Sequence, residues 1–388
     1  MTVNIHQPSP EDSISLIELT LYRALMDYRV ANGLPIIPLS KALTTTAARH
    51  AVDIVENIGV FRAGEPGENR GHSWSDAPFD GRDPATYSNM WFAPQRLGTG
   101  YATEGFEIAT GYTAPGAFTM TPQKALAGWQ ASAGHDAVIL NQGPWDQAWK
   151  AVGVGMYKGI ANVWFGATTD PTGAPAIVGT TAAEVIVGFV ADDTILGGGG
   201  NDTIDGLDGL NYLRGDDGDD KITGGAGFDD INGGVGNDTG SGGQGDDWVA
   251  GGKDSDLLFG GAGADVVYGN LGADTCEGGD GNDIVRGGQG NDVVRGGAGD
   301  DYVSGDRGDD TVTGGAGADV FHGSQDGGRD WVMDFSAHEG DRVALDPGTI
   351  YVVSQSGPDV LIDMGADHQM ILVGVDLASL SPGWILAD

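Results

Sequence analysis

The chain has 388 residues, 56 of them acidic and 19 basic, for a formal net charge of −37. That length suggests two or three domains, and that charge excludes binding to a phosphate backbone as a main role, so no nucleic-acid partner is expected. A single cysteine permits no disulfide within the chain, and no apolar run approaches the ~18 residues of a membrane span, so no transmembrane segment is expected either.

Residues 1–168 have ordinary composition and read as one domain. The opening, Met1 to Gln7, lacks the basic and apolar regions of a cleavable export signal. Ser9-Pro10-Glu11-Asp12 reads as a helix cap, and apolar residues at helical spacing carry that helix through Val30 to a stop near Gly33. A second helix is predicted from about Ser40 to Asn57 and a third from Thr121-Pro122 to about Ser132. Ala151–Tyr157 and Ala161–Phe165 read as two strands around a turn at Lys158-Gly159. Residues 169–178 form a proline-bearing linker.

From residue 179 the chain becomes periodic. An aspartate recurs every nine residues, at Asp193, Asp202, Asp220, Asp229, Asp238, Asp247, Asp256, Asp265, Asp274, Asp283, Asp292, Asp301, Asp310 and Asp319. Asn211 stands at the one interrupted position, and Glu184 extends the series one step upstream. Two residues after each lies an apolar slot, from Ile195 and Ile204 to Phe321; Cys276 occupies one, and Gly240 leaves one empty. Glycines fill the turn ahead of each aspartate, where they supply backbone angles that other residues reach only with strain. At Asp254 an aspartate replaces one of them.

One such unit cannot bury its apolar residue alone, so the units must stack. Stacked strands lie ~4.8 Å apart, a spacing at which bare carboxylates repel. A hard cation removes the conflict: calcium takes about 6–8 oxygens, and carboxylates with turn carbonyls supply them. If two units make one turn, alternate aspartates fall on opposite edges in two rows. The fourteen aspartates are therefore the candidate calcium ligands, and several Ca²⁺ ions the expected cofactor. Without calcium this stretch is expected to be disordered.

Residues 329–388 follow as alternating strands. They are expected to cap the open end of the stack, with Trp331, Phe335, Ile371, Leu372 and Trp384 as its apolar residues.

The repeat resembles the RTX (repeats-in-toxin) nonapeptide, Gly-Gly-x-Gly-x-Asp-x-apolar-x; Gly287-Gly288-Gln289-Gly290-Asn291-Asp292-Val293-Val294-Arg295 matches at every position. The resemblance covers Gly179 to about Gly323 and places the roll domain at 179–328. It implies a parallel β-roll, export from a Gram-negative bacterium by a type I secretion apparatus that reads an uncleaved C-terminal signal, and an extracellular or cell-surface location.

The first domain resembles the CAP superfamily (cysteine-rich secretory proteins, antigen 5, pathogenesis-related) in its disulfide-free bacterial form. The segments that carry this are Tyr28–Pro35, Ala47–Asp53, His72-Ser73, Phe106–Tyr112, Trp129–His135, Gly153-Val154-Gly155 and Trp164-Phe165-Gly166, in the family's order. The resemblance implies an α-β-α sandwich, hence an α+β N-terminal domain ahead of an all-β roll. It also implies a cavity in which His72, Glu107 and His135, with Glu104 the alternative carboxylate, hold zinc or form a hydrogen-bonded polar site. His50 reads as structural, and Trp129, Trp145, Trp149 and Trp164 as core.

No Gly-x-Ser-x-Gly elbow or His-Glu-x-x-His helix is present, and Ser73 beside His72 is not a triad. The leading expectation is a secreted calcium-binding protein whose CAP domain is an effector or binding module for an extracellular ligand that the sequence does not name. The alternatives are a metal-dependent hydrolase acting through the CAP cavity, and a surface or matrix adhesion protein.

Overall fold

A computed structural model describes residues 4–7, 12–58, 91–111, 120–145, 147–325 and 327–386. The chain divides into two compact units, residues 1–178 and 179–388.

In the first unit, helix α1 spans Leu16–Ala31 and α2 spans Lys41–Asp53, running on into a π-helical turn at Ile54–Ile58. Ser9, Pro10 and Glu11 of the expected cap lie outside the described residues, and α1 itself begins behind Ser15. The Glu18 carboxylate accepts the Ser15 backbone N–H (2.9 Å) and hydroxyl (2.7 Å), so the acid of the first turn holds the residue at the cap. Ile14–Ser15, just before the helix, pairs in parallel with Ile177–Val178, and Asp12 receives a two-pronged bond from Arg49 of α2 (2.9 and 2.6 Å). These partners lie 37 and more residues away, and a local capping pattern carries no trace of them.

Strands β1 (Gly105–Gly111), β2 (Ala151–Tyr157) and β3 (Ile160–Gly166) form an antiparallel sheet in the order β1-β3-β2. The β2–β3 turn lies at Lys158-Gly159, both at positive φ (40° and 95°), the backbone twist a two-residue hairpin needs. Helix α2 packs closely on β2. A Cβ on Gly153 would stand 2.0 Å from the Leu43 carbonyl carbon, and one on Gly155 would stand 2.3 Å from that of Ala47. Helices α3 (Pro122–Gln130) and α4 (Ala133–Ile139) complete the described elements that bear on the candidate cavity. Arg29, 2% exposed, ties α1 to the end of α4 through the Ile139 carbonyl and Asn141 Oδ1. Trp129, Trp149 and Trp164 are buried. Within the stretch expected as a linker, Asp170 accepts the Ser40 hydroxyl (2.6 Å) and the Ala42 N–H (2.9 Å), and so belongs to the first unit.

The second unit is a parallel β-solenoid of about nine turns. Short strands stack into two sheets with an 18-residue register, so two nonapeptides make each turn: Ile231 pairs with Val249 in one sheet and Ile222 with Gly240 in the other. The apolar slots point inward from both sheets, and Ile195, Leu213, Val249, Val267, Val285, Val303 and Phe321 are 0% exposed. Cys276 is 0% exposed among them. The slot left empty by Gly240 is closed by its neighbours, since a Cβ there would already meet Val249 at 3.2 Å and Leu258 at 3.3 Å.

The stack continues past the last nonapeptide. Arg342–Leu345 and Ile385–Leu386 extend one sheet, and Arg329–Val332 and Gln369–Leu372 the other. The second sheet then ends in an antiparallel hairpin, Val352–Ser356 with Asp359–Asp363, whose outer strand is short and exposed. Reversing direction stops the stacking. The inward residues of this end are Val332, Phe335, Val343, Leu345, Val360, Ile362, Met370 and Leu372, with Phe335 between Phe321 (tilted) and Trp384 (edge-to-face), ring centroids 5.9 Å apart in each pair. Trp331 and Ile371, expected among the cap's apolar residues, are half-buried on the outer side, because the strand alternation sets Val332 and Leu372 on the core side. Among the described residues no helix is long and apolar enough to cross a membrane.

Candidate metal centre

The 18-residue register sorts the acidic residues into two rows. One runs from Asp193 through Asn211, Asp229, Asp247, Asp265, Asp283 and Asp301 to Asp319; the other runs from Glu184 through Asp202, Asp220, Asp238, Asp256, Asp274 and Asp292 to Asp310. Along each row, Oδ1 of one residue accepts the backbone N–H of the residue a turn earlier: Asp247 to Asp265 at 2.7 Å, Asp274 to Asp292 at 2.8 Å, Asp292 to Asp310 at 2.8 Å. One carboxylate oxygen thus replaces a backbone acceptor at each corner.

The other oxygen is left over. Oδ2 of Asp202, Asp220, Asp229, Asp238, Asp247, Asp256, Asp265, Asp274, Asp283, Asp292, Asp301, Asp310 and Asp319 is buried and receives no hydrogen bond. A buried anionic oxygen without a partner is costly. Each lies over the first glycine of its own unit. A Cβ on Gly278 would stand 2.4 Å from Asp283 Oδ2 and 2.5 Å from the Gly296 carbonyl, and one on Gly242 would stand 2.3 Å from Asp247 Oδ2 and 2.6 Å from the Gly260 carbonyl. Glycine therefore keeps open a space where a carboxylate and a backbone carbonyl from the next turn converge. Oxygen-only donors of this kind suit a hard divalent cation. Among the described residues no three His, Cys, Asp or Glu side chains assemble into one cluster, so a cation here would draw on carboxylates and carbonyls together.

Electrostatics agree. Burial, and then the neighbouring carboxylates of the row, push Asp247 and Asp292 up to about 7 and Asp256 up to about 8. Asp229, Asp283 and Asp319 rise to about 6, chiefly from burial. Near neutral pH the rows resist holding full charge without a counterion.

Three features escape the nine-residue count. Asp330 and Asp341 continue the two rows, accepting the N–H groups of Asp310 (3.3 Å) and Asp319 (3.0 Å). Both are buried, and Asp330 is pushed up to about 8 by burial and by Asp310. Each is followed two residues later by a core valine, Val332 or Val343, which was the available signal; the lengthened turns broke the spacing. Where the residue before a row aspartate carries a polar side chain, it adds a second set of rungs running the other way: Asp219 accepts the Asn237 N–H (2.9 Å), and Asp300 that of Ala318 (2.9 Å). Finally, Asn211 is more than a gap. Its Oδ1 accepts the Asp193 N–H at 3.0 Å, while Nδ2 is buried without a partner where the aspartates present Oδ2.

The second candidate site, in the first unit, is not assembled among the described residues. His72 lies outside them. The Glu107 carboxylate is hydrogen-bonded to Nδ1 of His50, both side chains being fully buried beside Trp164. His135 is half-buried on α4. The described residues therefore give zinc no support. The helical spacing that made His50 read as structural could not show that β1 brings Glu107 against it.

The periodic region matches the family model described as RTX calcium-binding nonapeptide repeat (4 copies), at residues 178–213, 205–240, 241–276, 277–312 and 301–330. The chain thus carries RTX repeats, a repeat type that binds calcium. No curated protein matches the chain. Among solved structures it is similar to the crystal structure of extracellular lipase LipA from Serratia marcescens, with 20% identity, a TM-score of 0.22, and coverage of 53% of this chain and 40% of that one. It is also similar to the solution structure of the AlgE6R3 subunit of the Azotobacter vinelandii mannuronan C5-epimerase, with 26% identity, a TM-score of 0.22, and coverage of 34% of this chain and 78% of that one. The chain spans less than half the length of the lipase.

Proposed function

We propose that this is a calcium-binding protein exported by a type I secretion apparatus, whose solenoid folds when it meets extracellular calcium. The observation that carries the reading is the set of partnerless, buried Oδ2 atoms, each over the first glycine of its unit and, as at Gly242 and Gly278, beside a carbonyl of the next turn in a space that glycine leaves open. Calcium supplies the positive charge these oxygens lack. The aspartates from Asp193 to Asp319 are its ligands, and Asp330 and Asp341 extend the rows into the cap. In a low-calcium cytosol the rows repel one another, which keeps the chain extended for export; the address read by the secretion apparatus lies in residues 329–388.

The first unit is the effector or binding module, of the CAP type, acting on an extracellular ligand. Support for it comes from the order of the CAP-like segments and from α2 seated on Gly153 and Gly155 of the sheet.

The test is a calcium titration of the full chain followed by circular dichroism and small-angle scattering. Strand signal should appear cooperatively as calcium rises toward ~10⁻⁴–10⁻³ M, the range of extracellular modules, while the scattering radius falls. Equal strand content in EDTA and in calcium would rule the reading out.

A further inference from the structure

The repeat dictates its inward residues and its turns but leaves the outward face of each strand free. On one sheet that freedom is used unevenly. Over five successive turns, ~19 Å at the spacing of stacked strands, the outward positions carry Trp248 and Tyr302 in one register column and Tyr268, Arg286 and His322 in the next. Trp248 is 47% exposed and packs against Tyr268, the rings tilted 40° with centroids 5.8 Å apart. Beside it opens a groove of about 440 Å³ lined by Tyr268, Asn270, Arg286, Asp306, Arg307 and His322, with Asp346 at its far end.

Two of these residues break the repeat at some cost. Asn270 and Asp306 occupy the second-glycine position of their units and adopt φ of 77° and 69°, the left-handed region that glycine takes at the equivalent Gly288 (116°). Non-glycine residues held there store strain that tends to mark a functional position. Asp306 uses its place to grip Arg286, accepting from Nε at 2.9 Å and Nη2 at 2.7 Å, and takes the Ser304 hydroxyl at 2.7 Å. The guanidinium is thereby fixed beside the Tyr268 ring, 5.7 Å from its centroid.

We propose that this groove binds a neutral glycan. Its chemistry is a Tyr268 ring in the lining with the exposed, tilted Trp248 ring beside it for the apolar face of a sugar ring, next to the planar guanidinium and carboxylate of Arg286 and Asp306, which can bridge neighbouring hydroxyls. The charges of the lining balance, Arg286 and Arg307 against Asp306 and Asp346, on a chain whose formal charge is −37. That balance favours an uncharged ligand over an anionic polymer, which the rest of the surface repels. The walls come from successive turns of the solenoid, so the groove exists only when the solenoid is folded.

The experiment uses the full calcium-loaded chain in native gels cast with dextran, mannan or xylan, or with pectate as the anionic comparison, followed by calorimetry with an oligosaccharide of whichever neutral polymer retards it. The expected result is retardation by at least one neutral polymer, and at least tenfold weaker binding by Asp306→Gly. That variant restores the glycine of the repeat and relieves the strain, so its calcium-folding midpoint should be unchanged or lower. Should it nonetheless fold poorly, Tyr268→Ala replaces it with the same expected loss. Free migration of the wild type through all three neutral gels, retardation by pectate alone, or full binding by the folded variant would overturn the proposal. Because the calcium titration is recorded on the same samples, a failure of calcium-driven folding is distinguished from an absence of glycan binding.

Discussion

Asp292 does two separable jobs, and two substitutions take them apart. Its Oδ1 accepts the buried Asp274 N–H at 2.8 Å, and its Oδ2 is the orphan that calcium is proposed to use. Asp292→Asn keeps an acceptor for the N–H and removes the charge. Asp292→Ala removes both. Leaving a buried N–H unsatisfied costs about 1–3 kcal/mol, a factor of roughly 5 to 150 in the folding constant at fixed calcium. In calcium both variants should need more ion than the wild type, alanine more than asparagine. At low calcium the order should change. The wild-type carboxylate, pushed up to about 7 by burial and by Asp310 and Asp274, opposes folding near neutral pH, so the asparagine variant should be the most easily folded of the three and alanine should still suffer. The assay is a urea titration at several fixed calcium concentrations, monitored by circular dichroism. Identical behaviour of the two variants at every calcium level would refute the division of labour between Oδ1 and Oδ2.

Asn211→Ala should cost stability comparable to one ladder bond, about 1–3 kcal/mol in the same urea assay, with little change in the number of calcium ions bound. Gly278→Ala should raise the calcium needed for folding at least as much as Asp283→Asn does, because its Cβ falls 2.4 Å from Asp283 Oδ2; a calcium midpoint equal to the wild type would contradict the glycine argument. The carboxyls of Asp247, Asp256 and Asp292 are raised above their ordinary value of 3.8, so the calcium-free fold binds more protons than the unfolded chain. Its stability is then fullest below about pH 4 and is lost as pH rises toward 7–8; in EDTA, strand signal should be greater at pH 4 than at pH 8, and the calcium midpoint should rise as pH falls from 8 to 5, because protons and calcium compete for the same oxygens. Deleting residues 330–388 should raise the calcium midpoint of the remaining repeats, since it removes Asp330, Asp341 and the Phe335–Trp384 contact, and should abolish export by a type I apparatus; a titration that overlays the full chain, or secretion of the truncated one, would contradict the corresponding half.

Much of the second unit is written in the sequence because it is a one-dimensional stack in which each turn touches only its neighbours. The spacing of Asp, Gly and the apolar slot is enough to give the strands, the inward face, the two rows and the oxygen-only chemistry. It determined the burial of Cys276 for the same reason. The hairpin at Lys158-Gly159 and the cap at Thr121-Pro122 were legible because they are settled within a few residues. What the sequence could not supply are relations between distant positions. The count of nine stops at Asp319, yet Asp330 and Asp341 join the rows once longer turns bring them into register. Ser15 stands at the start of α1, with Ile14 and Asp12 just ahead of it claimed by Ile177 and Arg49. Glu107 meets His50 only after β1 enters the sheet beside β3. The task of Oδ1, holding a backbone N–H eighteen residues away, also becomes visible only in three dimensions, and it is what turns a row of repelling charges into a structural ladder with one oxygen to spare for a cation.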